Sequence, residues 1–138
     1  NFEEYFLNLP KRLLSFFPVV GIGDFSNKGK HQWLDMLTED DFKELTKVKT
    51  VGEICCRFFD SKGKEVYENL QERTIAISLE DLKNIPQSLA VAYGDTKVSS
   101  ILSVLRANLV NHLITDKNTI LKVLEEDGDL TFREILGE

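Results

Sequence analysis

Ser88-Leu89-Ala90-Val91-Ala92-Tyr93-Gly94-Asp95-Thr96-Lys97-Val98-Ser99-Ser100-Ile101-Leu102-Ser103-Val104-Leu105-Arg106-Ala107-Asn108-Leu109-Val110-Asn111-His112-Leu113-Ile114-Thr115 carries the clearest architectural signal in the chain. Ser88 to Tyr93 is an apolar run ending at the polar turn Gly94 to Lys97, and it reads as a strand. From Thr96 to Leu109, residues Val98, Ile101, Leu102, Leu105 and Leu109 fall on one helical face. His112 to Thr115 returns to strand. Strand, covering helix and second strand in this order form a right-handed parallel crossover.

The flanks extend the same pattern. Asp116 caps a helix carrying Ile120, Leu121 and Leu124, Asp127-Gly128-Asp129 ends it, and Thr131 with Glu134 caps one last turn through Leu136. Upstream, Val19-Val20 is a short buried strand entering Gly21-Ile22-Gly23-Asp24, with a polar loop from Ser26 to His31. Thr38 with Asp41 starts a helix over 39–47 that turns Phe42 and Leu45 inward. Val51 to Phe59 reads as one strand, with Asp60 to Lys64 as a hairpin loop before Glu65 to Tyr67. Thr74 to Ser78 reads as another strand, and Ser78 opens a brief helix that stops near Asn84 because Pro86 follows. Phe2, Tyr5, Phe6, Leu9 and Leu13 give residues 2–17 a helical period, kinked at Pro10. The expected fold is α/β, a mostly parallel sheet with covering helices and an antiparallel hairpin inserted at Glu53 to Tyr67.

The 138 residues make one domain's worth of chain. With 42% hydrophobic and 29% charged residues, a self-sufficient core is expected rather than disorder. Seventeen basic against 23 acidic residues give a net charge of -6, which argues against this chain itself gripping a phosphate backbone. No apolar run reaches the roughly 20 residues of a membrane span and no secretion signal opens the chain, so a cytoplasmic location is expected. Adjacent Cys55 and Cys56 read as reduced packing residues whose side chains leave opposite faces of a strand. The start at Asn1, already in helical spacing, fits a domain excised from a longer protein.

In a parallel sheet, ligands bind beyond the carboxyl ends of the strands. Two loops lie at such ends. At Gly94-Asp95-Thr96-Lys97 the glycine allows close backbone approach, the following helix offers unpaired amides, and Lys97 adds a point charge. These suit a phosphate or another anion, and the plain alternative is a tight turn with a solvated lysine. Gly21-Ile22-Gly23 also permits close approach, but it lacks the third glycine of a dinucleotide fingerprint. Asp24 either binds sugar hydroxyls or caps a turn. Glu53, in an apolar strand, either pairs with Arg57 or Arg73 or accepts hydrogen bonds from a sugar. Arg57 shares its strand face if no bulge intervenes. His31 and His112 have no second ligand at metal spacing and read as solvated or structural, and Trp33 and Met36 read as core, with an oligomer contact as the alternative. No Gly-x-Ser-x-Gly elbow or phosphate-binding Walker loop occurs. No metal and no cofactor is expected.

Taken in order, Val20-Gly21-Ile22-Gly23, Val51-Gly52-Glu53-Ile54 with Arg57-Phe58-Phe59-Asp60, Arg73 to Leu79, and Ala92-Tyr93-Gly94-Asp95-Thr96-Lys97 resemble a known family. Together with Leu105-Arg106 and Leu109 to Asp116, they resemble the sugar-binding effector domain of SorC-type bacterial transcription regulators, from about Val19 to Leu124. The resemblance implies a fold similar to glucosamine-6-phosphate deaminase, ribose-5-phosphate isomerase and the CoA transferases. It also implies a phosphorylated sugar as effector, a homo-oligomer, and operator DNA bound through a helix-turn-helix domain absent from this chain. Lys97 takes the place of the family's phosphate partner, Glu53 that of the acidic sugar-hydroxyl position, and Gly21 and Gly23 line the pocket. Asp24 and Gly94 complete the expected effector site, with Arg57 and Thr96 in support. Departures are Tyr93, where the family carries a first glycine, and Ala107-Asn108, where it carries a glycine-containing turn. The first half of the usual effector domain, including a Gly-Gly-Thr-like phosphate loop, has no counterpart.

The deaminase relatives carry a histidine just after the Gly-x-Gly-x-Asp loop, whereas Phe25 follows Asp24 here. Binding without turnover is the expectation. The alternatives are a sugar-phosphate isomerase or deaminase of the same fold, and an oligomerisation domain without a ligand.

Overall fold

The computed structural model describes residues 17–26 and 36–131. The expected helix over 2–17, the loop with His31 and Trp33, and the last turn beyond Thr131 lie outside the described residues. In chain order the elements are β1 (Val19–Gly21), β2 (Gly23–Asp24), α1 (Glu39–Lys47), β3 (Gly52–Ile54), β4 (Arg57–Phe59), α2 (Glu68–Arg73) and α3 (Leu79–Lys83). There follow β5 (Leu89–Val91), a 3-10 turn (Asp95–Lys97), α4 (Val98–Arg106), β6 (His112–Ile114) and α5 (Lys117–Asp127).

Two sheets result. β1, β5 and β6 pair in parallel in the order β1-β5-β6, with Val20 beside Ala90 and Ala90 beside Leu113. β2, β3 and β4 form a separate antiparallel sheet, with Gly23 opposite Glu53 and Glu53 opposite Phe58. The expected α/β class with a parallel sheet and an antiparallel component therefore holds.

One face of the parallel sheet meets the helices. Ala90, with Val20 and Leu113, packs into a core of Ile22, Ile54, Phe59, Ile101, Leu102 and their neighbours. Each such side chain contributes on the order of 1.5–3 kcal/mol by leaving water. A second cluster of Leu37, Phe42, Leu45, Phe58 and Leu70 lies under the antiparallel sheet. The other face of the parallel sheet carries Val19, Val91 and Ile114, which are 62%, 41% and 55% exposed. Parallel sheets are as a rule covered on both faces, so this one is half covered among the described residues.

The helix caps follow local chemistry. Thr38 and Asp41 form a reciprocal capping box at α1, and Ser78 and Asp116 accept backbone bonds from Asp81 and Thr119 at α3 and α5. α4 closes with Asn108 at φ 53, whose N–H reaches Leu105 while that of Leu109 reaches Val104. Asparagine tolerates the left-handed conformation better than other residues with a side chain, which explains how Ala107-Asn108 replaces a glycine-containing turn.

Three expectations are corrected. Val51 to Phe59 is two strands, because Cys55 and Cys56 adopt positive φ of 53 and 60 and turn the chain back on itself. The hairpin turn is thus at the cysteines, and beyond the Asp60 to Lys64 loop there is only a bridge between Phe59 and Glu65. Thr74 to Ser78 is not a strand, since the carbonyls of Thr74, Ala76 and Ile77 are taken by the Arg57 guanidinium instead of a neighbouring strand. Met36 is 58% exposed rather than core.

Candidate functional site

Beyond the carboxyl end of β1 the chain passes through Ile22 into β2, and β2 contacts the 3-10 turn that follows β5. Gly21, Gly23, Asp24, Glu53, Gly94 and Lys97 are thereby drawn toward one end of the parallel sheet. Ser88, Asn111 and His112 hold the opposite end. Asn111 Oδ1 accepts from the Ser88 amide at 2.8 Å, and His112 Nε2 is 2.8 Å from Gln87 Oε1. His112 is therefore a structural residue remote from the candidate site.

Glu53 is the central acidic group. Directly across the ladder, Gly23 supplies the room it needs, for a Cβ at Gly23 would collide with Glu53 Oε1. Glu53 Oε2 accepts the Cys56 amide at 3.0 Å, a bond that exists because the Cys55-Cys56 turn folds back toward it. Burial pushes the Glu53 carboxyl above the usual carboxylate range, and the Cys56 amide and the nearby Lys97 ammonium only partly offset this. A largely desolvated carboxylate within the field of a cation is ready to accept hydroxyl hydrogen bonds. Burial, followed by the field of Glu53, also raises both cysteine thiols, so they are poor nucleophiles despite their position.

Lys97 closes the 3-10 turn and leads into α4. The turn depends on Gly94, whose φ of 106 and ψ of 151 suit glycine alone. Its N–H donates to Thr119 Oγ1 at 2.8 Å and its carbonyl accepts from the Lys97 amide at 3.1 Å. Thr96 is exposed, and Tyr93, 70% exposed, stands out into solvent. Gly21 has open space around its Cα. Asp24 Oδ2 accepts the Ser26 hydroxyl at 2.7 Å.

Arg57 does not join this set. The intervening turn places it opposite Ile54, and all five of its donors are engaged elsewhere. Nη1 donates to Glu65 Oε1 and the Gln71 carbonyl at 3.1 Å each. Nε donates to Ile77, and Nη2 to Thr74 and Ala76. Arg73 pairs with Asp41, so neither arginine meets Glu53. The expected salt bridge to Glu53 and the expected supporting role of Arg57 are both replaced by this clamp. Sequence reasoning passed over Thr119 altogether, because its bond to Gly94 spans 25 residues and leaves no local pattern.

The Sugar-bind family model, a sugar-binding domain, matches residues 17–125, nearly the whole described region. The chain belongs to the Sugar-bind family. Among similar proteins, the deoxyribonucleoside regulator of Bacillus subtilis is 42% identical over 80 residues, 58% of this chain and 26% of that protein. The sorbitol operon regulator of Klebsiella pneumoniae is 31% identical over 101 residues, 73% of this chain and 32% of that protein. The crystal structure of a transcriptional regulator from Streptococcus pneumoniae TIGR4 is 91% identical with a TM-score of 0.83, over 91% of this chain and 48% of that one. Full-length SorC from Klebsiella pneumoniae aligns with a TM-score of 0.70 at 28% identity, over 86% of this chain and 39% of that one. The resemblance to SorC-type regulators is borne out, and the chain spans about a third or less of the curated relatives and about half of the solved chain from Streptococcus pneumoniae. Among the described residues, no helix is long and apolar enough to cross a membrane.

Proposed function

We propose that this Sugar-bind domain binds a phosphorylated sugar and, within a SorC-type regulator, governs operator binding by a separate domain. The observation that carries the reading is the seating of the Glu53 carboxylate over Gly23, near enough to Lys97 to feel its charge: a hydroxyl acceptor and a cation on a glycine-shaped loop. Lys97 takes the phosphate, Glu53 the sugar hydroxyls, and Gly21, Gly23 and Gly94 let main chain approach the ligand. Asp24 borders the same loop, while exposed Thr96 lies beside Lys97. A sugar phosphate acts on DNA binding only through unequal affinity for the states of the regulator, including its oligomers.

Phe25 counts against turnover. Where the deaminases hold an acid-base histidine, the Phe25 ring stacks on Phe42 at 5.7 Å and meets Phe58 edge-on at 5.9 Å, turned into the second core cluster. Titration calorimetry with ribose 5-phosphate, deoxyribose 5-phosphate and hexose 6-phosphates is the test. One of them binds the parent, and Lys97→Ala weakens it at least about tenfold through loss of a charge-assisted bond. Binding unaffected by Lys97→Ala refutes the site, and steady conversion of any of these sugars refutes the reading as a sensor.

A further inference from the structure

A buried threonine on α5 holds the loop that carries Lys97. Thr119 is 1% exposed, and its hydroxyl has two commitments. It accepts the Gly94 N–H at 2.8 Å and donates to Asp116 Oδ2 at 2.6 Å, while Asp116 Oδ1 accepts the Thr119 amide at 3.0 Å. Asp116 is the N-cap of α5, so the cap of one helix and the loop opening another share a single hydroxyl. Gly94 has no side chain with which to resist rotation, and its backbone sits in a region that glycine leaves readily. The one hydrogen bond made by its N–H therefore fixes where the following turn begins. The 3-10 turn packs on β2, and Gly23 of β2 pairs with Glu53 on β3, so an error in the Gly94 angle carries through to the separation of carboxylate and ammonium.

We propose that Thr119, held by Asp116, is a positioning residue for the sugar-phosphate site: it locks Gly94 and so sets Lys97 at its working distance from Glu53. This rests on the functional reading above and assigns its geometry to a residue outside the ligand-lining loops. A Thr119→Val side chain keeps the shape and leaves the Gly94 N–H without an acceptor, whereas Thr119→Ser keeps the hydroxyl.

The test has two arms on the full chain. Amide exchange of Gly94 without ligand is slow in the parent and in Thr119→Ser and at least about tenfold faster in Thr119→Val, with α4 protection unchanged. Calorimetry with the sugar phosphate that binds the parent gives at least about fivefold weaker binding for Thr119→Val and near-parental binding for Thr119→Ser. Equal Gly94 exchange in parent and Thr119→Val overturns the inference, as does a serine variant as impaired as the valine one. If no sugar phosphate binds the parent, the functional reading fails while the exchange arm still decides the role of Thr119. Should Thr119→Val not fold, Asp116→Asn weakens the same acceptor with the cap retained, and Gly94 exchange is compared in that variant.

Discussion

Glu53 stands directly opposite Gly23 across the β2–β3 ladder, and its carboxylate fills the space that a side chain at Gly23 would need. The glycine is thus a steric condition for the acidic group rather than only a flexible joint. Gly23→Ala forces Glu53 out of place, loosening its bond to the Cys56 amide. The cost is about 1–3 kcal/mol of stability by denaturant unfolding, with sugar-phosphate binding lost as well. Parental binding by Gly23→Ala shows that the pocket does not use this carboxylate position.

Glu53→Gln separates stability from function. Burial raises the Glu53 pKa above its value in the unfolded chain, so the folded state holds this proton more tightly. Its contribution is fully present below the unfolded pKa and is lost as pH rises through the folded one. Relative to the parent, Glu53→Gln therefore gains stability as pH rises through the carboxyl's elevated folded-state range, while ligand affinity falls. Melting temperatures of the two proteins across that range check the sign.

Arg57 is held at both ends of its guanidinium by groups that only a planar fork reaches. It and Glu65 are 10% and 16% exposed at the side chain. Arg57→Lys retains charge but leaves several carbonyls and part of Glu65 without partners, at a cost of about 3 kcal/mol. Faster amide exchange over 71–79 is the accompanying signature, because these residues are held by the clamp and not by a ladder.

Asp41 predicts the acid response. Burial raises its carboxyl, but the Thr38 amide and hydroxyl, the Tyr67 hydroxyl and Arg73 outweigh that and bring it down from 3.8 to about 2. The stability it supplies is present above the unfolded pKa and is lost as pH falls from about 4 toward 2. Asp41→Asn costs about 2 kcal/mol at pH 7 through the weakened cap and lost ion pair, and its unfolding free energy varies less than the parent's across that acid window. Chemical denaturation at pH 7, 4 and 3 measures both effects.

Much of the chain's local structure is legible in residue order. Ser78, Asp116 and Thr38 with Asp41 announce helices because capping acts within three residues, and the alternation of apolar strand and amphipathic helix from Ser88 to Leu124 announces parallel crossovers. α2 escaped notice because its six residues bury only Leu70, too few to make a period. The cysteine turn escaped because β-forming residues surround a pair whose positive φ is imposed by strand pairing. Thr74 to Ser78 has strand composition and no partner strand among the described residues, its carbonyls being claimed by Arg57 from 17 to 20 residues away.

The site divides in the same way. Lys97 on a Gly94 loop after a strand, Glu53 in an apolar strand and the Gly21-Ile22-Gly23 run are signals that the sequence alone determines, since each rests on the chemistry of neighbouring residues. Tertiary structure decided which of them meet: Arg57 was turned away to a clamp, Glu53 was seated over Gly23, and Thr119 was brought to Gly94 from another helix. The reason is physical. Propensity, capping and turn formation act over a few bonds and are written in local order, whereas a buried donor takes whichever acceptor the packed chain sets within about 3 Å of it.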